Sequence, residues 1–207
     1  MPNFEIESSL KKPVIGIDEV GRGPIAGPVV SCACVFYDYS ISKIIENFDD
    51  SKKLNFNKKK DAFKKIFKLK KKNKLNYALG VASVEEIDSL NILEATKKSM
   101  IRAIKKLNFS KANLIIDGKI DLNLSNFKTF GIIKGDQKSY SICTASIIAK
   151  MHRDRYMKQL SLKYPDYEWN KNAGYGTRTH IKEINKLGIT IHHRKSFEPI
   201  KSLIHNK

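Results

Sequence analysis

The chain has no apolar run of about 18 residues, so it offers no segment long enough to cross a bilayer as a helix. Its opening stretch, MPNFEIESSL, lacks the apolar core of a secretion signal. Cysteine is scarce: Cys32, Cys34 and Cys143 are odd in number and show no Cys-x-x-Cys spacing. That argues against a disulfide framework and fits small apolar core residues in a reducing, cytoplasmic compartment. No His-Glu-x-x-His occurs, and His192 and His193 are adjacent instead of at ligand spacing, which argues against zinc. Neither a Pro/Gly/Ser-rich linker nor an internal repeat divides the chain, and its 207 residues fit one domain with a sizeable core. Acid is the other shortage. With 21 Asp+Glu against 39 Lys+Arg, the net charge is +18. Such a surplus favours a polyanionic partner through counterion release, although the abundance of Lys, Ile and Asn also fits codon bias.

The few acids are placed unevenly. In VIGIDEVGRGPIAGPVV, residues 14–30, an apolar run leads straight into Asp18 and Glu19. Gly21-Arg22-Gly23-Pro24 follows, and then a second apolar run. This reads as a strand, a tight turn and a second strand, so a portion of the sheet should be antiparallel. Carboxylates in a buried strand are costly unless their charge is compensated. A divalent cation such as Mg²⁺ is one compensation; an ordinary acid pair on a solvated strand end is the plain alternative.

Further along, residues 1–12 read as a loose arm. Residues 58–74 read as an amphipathic helix, with Phe63, Ile66 and Phe67 inward and lysines outward. Residues 77–84 read as a strand, and Ser83 with Glu86 as a capping box. Residues 92–107 read as a helix with Leu93, Thr96, Met100, Ala103 and Ile104 on one stripe. Strands are expected at 114–118 and 129–134, a long helix at 139–164 and a short one at 178–187, with a tail from Thr190. The mixture indicates an α/β domain.

Asp18, Glu19, Asp117 and Asp136 all stand beside strand ends or turns, where distant acids can meet. Clustered carboxylates do not all stay ionised without cations. Two Mg²⁺ ions could hold an attacking water and a leaving oxygen in line across a phosphodiester. Adjacent strand residues face opposite ways. Either the strand is distorted before Gly21, or Glu19 serves the second ion, or it offers its backbone carbonyl. Glycines on both sides of Arg22 let backbone approach a ligand such as a ribose 2′-hydroxyl; a plain tight turn is the alternative.

Several motifs occur in one order across the chain: Ile17-Asp18-Glu19-Val20-Gly21-Arg22-Gly23-Pro24, Asp50-Ser51-Lys52-Lys53-Leu54, Ile116-Asp117-Gly118, Lys134-Gly135-Asp136, Ala145-Ser146-Ile147-Ile148-Ala149-Lys150, Gly174-Tyr175-Gly176-Thr177 and His193-Arg194-Lys195-Ser196-Phe197. Together they resemble the ribonuclease HII family, a type 2 ribonuclease H. The resemblance implies an α/β, ribonuclease H-like mixed sheet over 13–165, flanked by helices, with a helical C-terminal extension over 166–207 packed on it. It implies a monomeric endonuclease, dependent on Mg²⁺ or Mn²⁺ with two ions in catalysis. The expected substrates are RNA–DNA hybrids and duplex DNA with a single embedded ribonucleotide, cut on its 5′ side to leave a 3′-hydroxyl and a 5′-phosphate. Asp18, Glu19, Asp117 and Asp136 match the family's metal-binding acids. Gly21, Arg22 and Gly23 match its 2′-hydroxyl sensor, and Tyr175 the residue that stacks on the junction sugar. Lys52, Lys53, Ser146 and Lys150 fall in motifs near the phosphate backbone. Asn172-Ala173 stands where the family usually carries His-Lys.

Rival readings are another two-metal nuclease of the same fold, or a non-catalytic nucleic-acid-binding protein. The first leaves Gly-Arg-Gly and Gly-Tyr-Gly unexplained. The second leaves the acids unexplained, since they would weaken binding to a polyanion in the absence of metal.

Overall fold

A computed structural model describes residues 1–42 and 56–205. Its sheet has five strands in the order β3-β2-β1-β4-β5. These are β1 (Val14–Val20), β2 (Val29–Phe36), β3 (Leu75–Ala82), β4 (Ala112–Asp117) and β5 (Phe127–Ile132). β1, β2 and β3 pair antiparallel, whereas β4 joins β1 in parallel and β5 joins β4 in parallel. The expected mixed sheet and its flanking helices are both present.

Strand alternation divides the core between two faces. Ile15 and Ile17 of β1 and Leu114 and Ile116 of β4 pack against Met100, Ala103 and Ile104 of helix α4 (Ile92–Lys106). Cys32 and Cys34 of β2 pack on the other face, beneath Cys143, Ala145 and Ile147 of the long helix α5 (Tyr140–Lys163). Helix α2 (Phe56–Lys71) shares that second layer through Ala62, Ile66 and Leu69. All three cysteines are buried and unbridged. Gly16 is what brings α5 down onto β1, because a Cβ there would run into the backbone of Ser141.

Helix α3 (Val84–Leu90) begins with the expected Ser83–Glu86 capping box. Helix α7 (Arg178–Leu187) fills the expected span and is capped by the Thr177 hydroxyl. Between α5 and α7 lies the short helix α6 (Trp169–Asn172). Trp169, Ile184 and Ile200, the last of these opening α8 (Ile200–His205), pack with Ile25, Ala26 and Met157. This region therefore lies directly against the loop after β1.

The expectations differ from the structure at several points. The stripe on α2 is Ala62, Ile66 and Leu69; Phe67 is 48% exposed, with the Lys71 ammonium 5.0 Å over its ring. Leu93 is also exposed, one turn before the buried stripe of α4 begins. The tail beyond Thr190 contains α8 and the buried residues His193 and Arg194.

The first dozen residues are not a loose arm. Residues Glu5–Ser9 form helix α1, and Phe4 is buried against Phe36, Tyr39 and Tyr140. Asn3 bonds in both directions to the chain just before α5, through Lys138 O and Tyr140 N. Glu7 is fully buried, and its Oε1 accepts from the Ser139 hydroxyl at 2.7 Å and the Ser141 amide at 2.9 Å. A carboxylate at a helix N-terminus meets unpaired amides and the positive end of the dipole.

Glu7→Ala should therefore behave as a core defect. It strands two buried donors, and the expected loss is about 2–4 kcal/mol of unfolding free energy in urea. A loss under about 0.5 kcal/mol, ordinary for a surface change, would mean the arm does not belong to the core.

Candidate active site

Asp18 lies near the end of β1, and Asp117 ends β4. The parallel register pairs Ile17 with Ile116, so one further step sets Asp18 beside Asp117. By alternation both face α5, as Gly16 and Ile115 do two positions earlier. Ser146 of α5 supplies a hydroxyl hydrogen bond to Asp18, and the Glu19 amide donates to Asp18 Oδ1 at 2.8 Å. The Gly135 amide donates to Asp117 Oδ1 at 2.7 Å. Asp136, the next residue, is buried in a 3₁₀ turn (Gly135–Gln137) entered through left-handed Lys134. Three chain segments thus deliver acids to one end of the sheet.

Glu19 obeys the same alternation and points to the other face. β1 pairs with β2 without interruption through Val20, so the strand is not distorted before Gly21. That removes one of the options for Glu19; service to a second ion and use of its backbone carbonyl both stay open. Its Oε1 meets Arg22 Nη1 at 3.5 Å, a long and half-exposed ion pair worth little. Its Oε2 is buried and has no hydrogen-bond partner among the described residues.

The electrostatics follow from this crowding. Burial drives the Asp18 carboxyl well above the ordinary carboxylate range, and the charges of Glu19 and Asp117 push the same way; the Ser146 hydrogen bond opposes them. Burial also raises Glu19, with Arg22 opposing and Asp117 adding to the rise. Both acids lie in a net-positive chain yet gain little from it, because the lysine surplus is solvated and screened.

The donor set suits a hard divalent cation. It consists of carboxylate oxygens, among them Glu19 Oε2, buried without a hydrogen-bond partner among the described residues, and like charges that a cation would relieve. Among the described residues, no three Asp, Glu, His or Cys side chains are close enough to form a complete metal cage. Mg²⁺ does not require one: it keeps several waters and takes one or two carboxylates together with substrate phosphate.

The Gly-Arg-Gly turn leads away from these acids. Gly21 has φ +98°, and a Cβ on it would collide with Arg153. Tyr175 is 50% exposed, so it is not a core aromatic. A Cβ built on Gly23 would stand 3.5 Å from Tyr175 Cε1, which brings the two sequence-distant motifs together. Asn172 tightens the Tyr175 loop by accepting from the Gly174 amide at 2.8 Å. Lys150 pairs with Asp154 at 2.7 Å, one turn further along α5 than Ser146. Lys52 and Lys53 lie outside the described residues.

Sequence reasoning assigned no role to the buried residues that support the loops. Arg153 donates to the carbonyls of Ala26, Pro28 and Ala173. Arg194 donates to those of Gly21, Arg22 and Gly27. Behind Tyr175, His180 Nδ1 meets the Tyr175 carbonyl at 2.8 Å, which requires a proton on Nδ1. His180 Nε2 then accepts from Trp169 Nε1 at 3.0 Å and from His193 Nε2 at 3.1 Å. His193 Nδ1 accepts from the Thr190 amide. Both rings are held neutral, and burial pushes His193 down to about 4. The one available signal was His193-Arg194 within a motif.

Comparison with known proteins gives matches over nearly the whole chain. The family model described as "Ribonuclease HII" matches residues 15–200. A ribonuclease HII of Wolbachia sp. subsp. Brugia malayi is 46% identical over 199 residues, covering 96% of this chain and 94% of that protein. One from Staphylococcus carnosus is 47% identical, covering 94% of this chain and 71% of that protein. Among solved structures, ribonuclease H2 from Pyrococcus horikoshii superposes with TM-score 0.76 at 24% identity, covering 93% of this chain and 97% of that one. Bst-RNase HIII, solved in complex with Mn²⁺, gives TM-score 0.68 at 18% identity, covering 93% and 69%.

The raised carboxyls predict a sign for stability. A carboxyl whose folded pKa is raised contributes stability that is complete below its ordinary value of 3.8 and is lost as pH rises through the folded value. At neutral pH an ionised Asp18 is thus a net cost. In chelator, Asp18→Asn should raise the neutral-pH melting temperature, at about 2–4 °C per kcal/mol relieved for a chain of this size. The gap should close as pH falls toward 4. A variant that melts below wild type at neutral pH would show that Asp18 is not held against its charge.

Proposed function

The chain belongs to the ribonuclease HII family and is an endonuclease of the ribonuclease H type, acting on RNA–DNA hybrids; from that premise we propose that it also incises duplex DNA on the 5′ side of a single embedded ribonucleotide, using two divalent cations. The observation that carries the finer reading is the juxtaposition of three features at one sheet end. Acids from β1, β4 and the turn after β5 converge there, Gly-Arg-Gly follows directly from β1, and the exposed Tyr175 ring stands beside Gly23.

Asp18, Glu19, Asp117 and Asp136 are the residues that would hold Mg²⁺ or Mn²⁺. Cations bound there would supply the charge that activates a water and neutralises the leaving oxygen for in-line displacement at phosphorus, leaving a 3′-hydroxyl and a 5′-phosphate. The chain's own groups set the geometry. Ser146 and the Glu19 amide orient Asp18, and the Gly135 amide orients Asp117. The turn from Gly21 to Gly23 brings main-chain groups against the sugar and selects ribose through its 2′-hydroxyl. Tyr175 packs against the next sugar, where a ring face gains contact with deoxyribose and would desolvate a 2′-hydroxyl. Together they define an RNA-to-DNA junction. Lys52, Lys53 and Lys150 would contact phosphates, which positions the duplex without reading its sequence.

The direct test uses a DNA duplex with one ribonucleotide, incubated with Mg²⁺ or with chelator. A single cut on the 5′ side of the ribonucleotide, absent in chelator and absent for Asp117→Asn, is the expected result. Cutting that survives chelation, or none on the ribonucleotide substrate, would refute the reading.

Tyr175→Ala separates junction sensing from chemistry. Its kcat/KM should fall on the single-ribonucleotide duplex far more than on a long hybrid, by about tenfold or more in the ratio, because stacking against one sugar or base is worth about 1–3 kcal/mol. An unchanged ratio would make Tyr175 a structural residue.

A further inference from the structure

Arg194 is completely buried, and among the described residues its polar partners are carbonyls, not carboxylates. Nη2 donates to Gly21 O at 2.6 Å and to Gly27 O at 2.7 Å, Nε to Gly27 O at 2.9 Å, and Nη1 to Arg22 O at 3.0 Å. The guanidinium also lies 4.9 Å from the Phe197 ring centroid. Burial pulls its pKa down to about 9, which leaves it charged at neutral pH. An interior cation whose hydrogen bonds go to peptide carbonyls is expensive. All three carbonyls belong to one segment, the turn that follows the catalytic strand.

Peptide geometry gives the consequence. Across a trans peptide, C=O and N–H point in opposite directions. The Gly21 carbonyl shares its plane with the Arg22 amide, and the Arg22 carbonyl shares its plane with the Gly23 amide. Drawing both carbonyls inward to one buried guanidinium turns both N–H groups away from the protein interior. Among the described residues, no backbone carbonyl accepts from either amide. A positive charge behind each carbonyl also polarises the plane and strengthens the N–H as a donor. Gly23, carrying the second of these amides, is the residue beside Tyr175.

We propose that Arg194 is a positioning residue of the ribose-reading turn: its fork fixes the two peptide planes on either side of Arg22 so that paired amide donors face the sugar at the junction. The inference rests on the reading that this turn senses the 2′-hydroxyl. Arg153 has the companion role in the adjoining loop, tying Ala26 and Pro28 to Ala173 beside Tyr175. The specificity element is thus braced by two residues that never touch substrate.

Arg194→Lys tests this, because an ammonium keeps the charge but cannot span three carbonyls as a planar fork does. Binding is measured with Ca²⁺ replacing Mg²⁺, on a DNA duplex holding one ribonucleotide and on the same duplex without it. Wild type should prefer the ribonucleotide duplex. The variant should lose about tenfold of that preference, the value of one well-aligned hydrogen bond to a polarised donor, while its affinity for the all-DNA duplex stays unchanged. A mere fold brace would weaken both affinities alike, and a preference equal to that of wild type in the folded variant overturns the proposal. A wild type without ribonucleotide preference instead overturns the underlying reading of the turn. If the variant does not fold, hydrogen exchange on the wild type decides. The Arg22 and Gly23 amides should exchange at unprotected rates and the Arg194 Nε–H slowly; protected amides or a fast Nε–H would refute the clamp.

Discussion

The parallel pairing of β1 with β4 is the constraint on which the rest depends. It sets Asp18 beside Asp117 on the face covered by α5, a position where two carboxylates repel and the buried Asp18 loses water. Everything nearby accommodates that arrangement. Gly16 lets α5 close on the sheet, which brings the Ser146 hydroxyl to Asp18. The Gly135 amide fixes Asp117, and the same turn carries Asp136. The N-terminal segment, through Asn3, Phe4 and Glu7, holds the chain just before α5 in place. Segments more than a hundred positions apart in the chain are thereby tied into the same framework.

The second half of the site is built on a different principle. The acids are held by strands, whose register leaves little freedom. The Gly-Arg-Gly turn and Tyr175, which we propose read the sugar, sit on loops, and loops need bracing to hold a fixed geometry. Here the bracing is polar and buried: two arginines gather carbonyls from Gly21 to Pro28 and from Ala173, and a neutral His180–His193 pair holds the Tyr175 carbonyl. The C-terminal helices contribute by packing Trp169, Ile184 and Ile200 against Ile25 and Ala26. The C-terminal region thus braces the loop after β1 more than the acids.

Much of this was legible because local signals agreed with the fold. The β1–β2 hairpin, the Ser83 capping box and helix α7 all follow from patterns within a few residues. The acids were legible because polar residues at the ends of apolar runs stand out. What escaped notice depended on long-range partners. Glu7 lies in a short helix without a side-chain cap, and its partners lie 132 and 134 residues away. Arg153 was hidden by abundance: with 39 basic residues, nothing local distinguishes it, and Arg194 was marked only by its place in a motif. Phe67 and Leu93 misled for the opposite reason, since helical spacing marks a face without fixing where its edge falls.

The central claim is that burial and neighbouring charge raise the Asp18 and Glu19 carboxyls above their ordinary range, and that a bound cation relieves them. Calorimetric titration with Mn²⁺, on the acid side of neutrality and in buffers of different ionisation heat, tests it most directly. The account expects the apparent binding enthalpy to vary with the buffer, reporting protons released from Asp18 and Glu19 as the cation binds. Binding with no buffer dependence would mean that the carboxyls are already ionised without a cation, and the electrostatic basis of the site would be wrong.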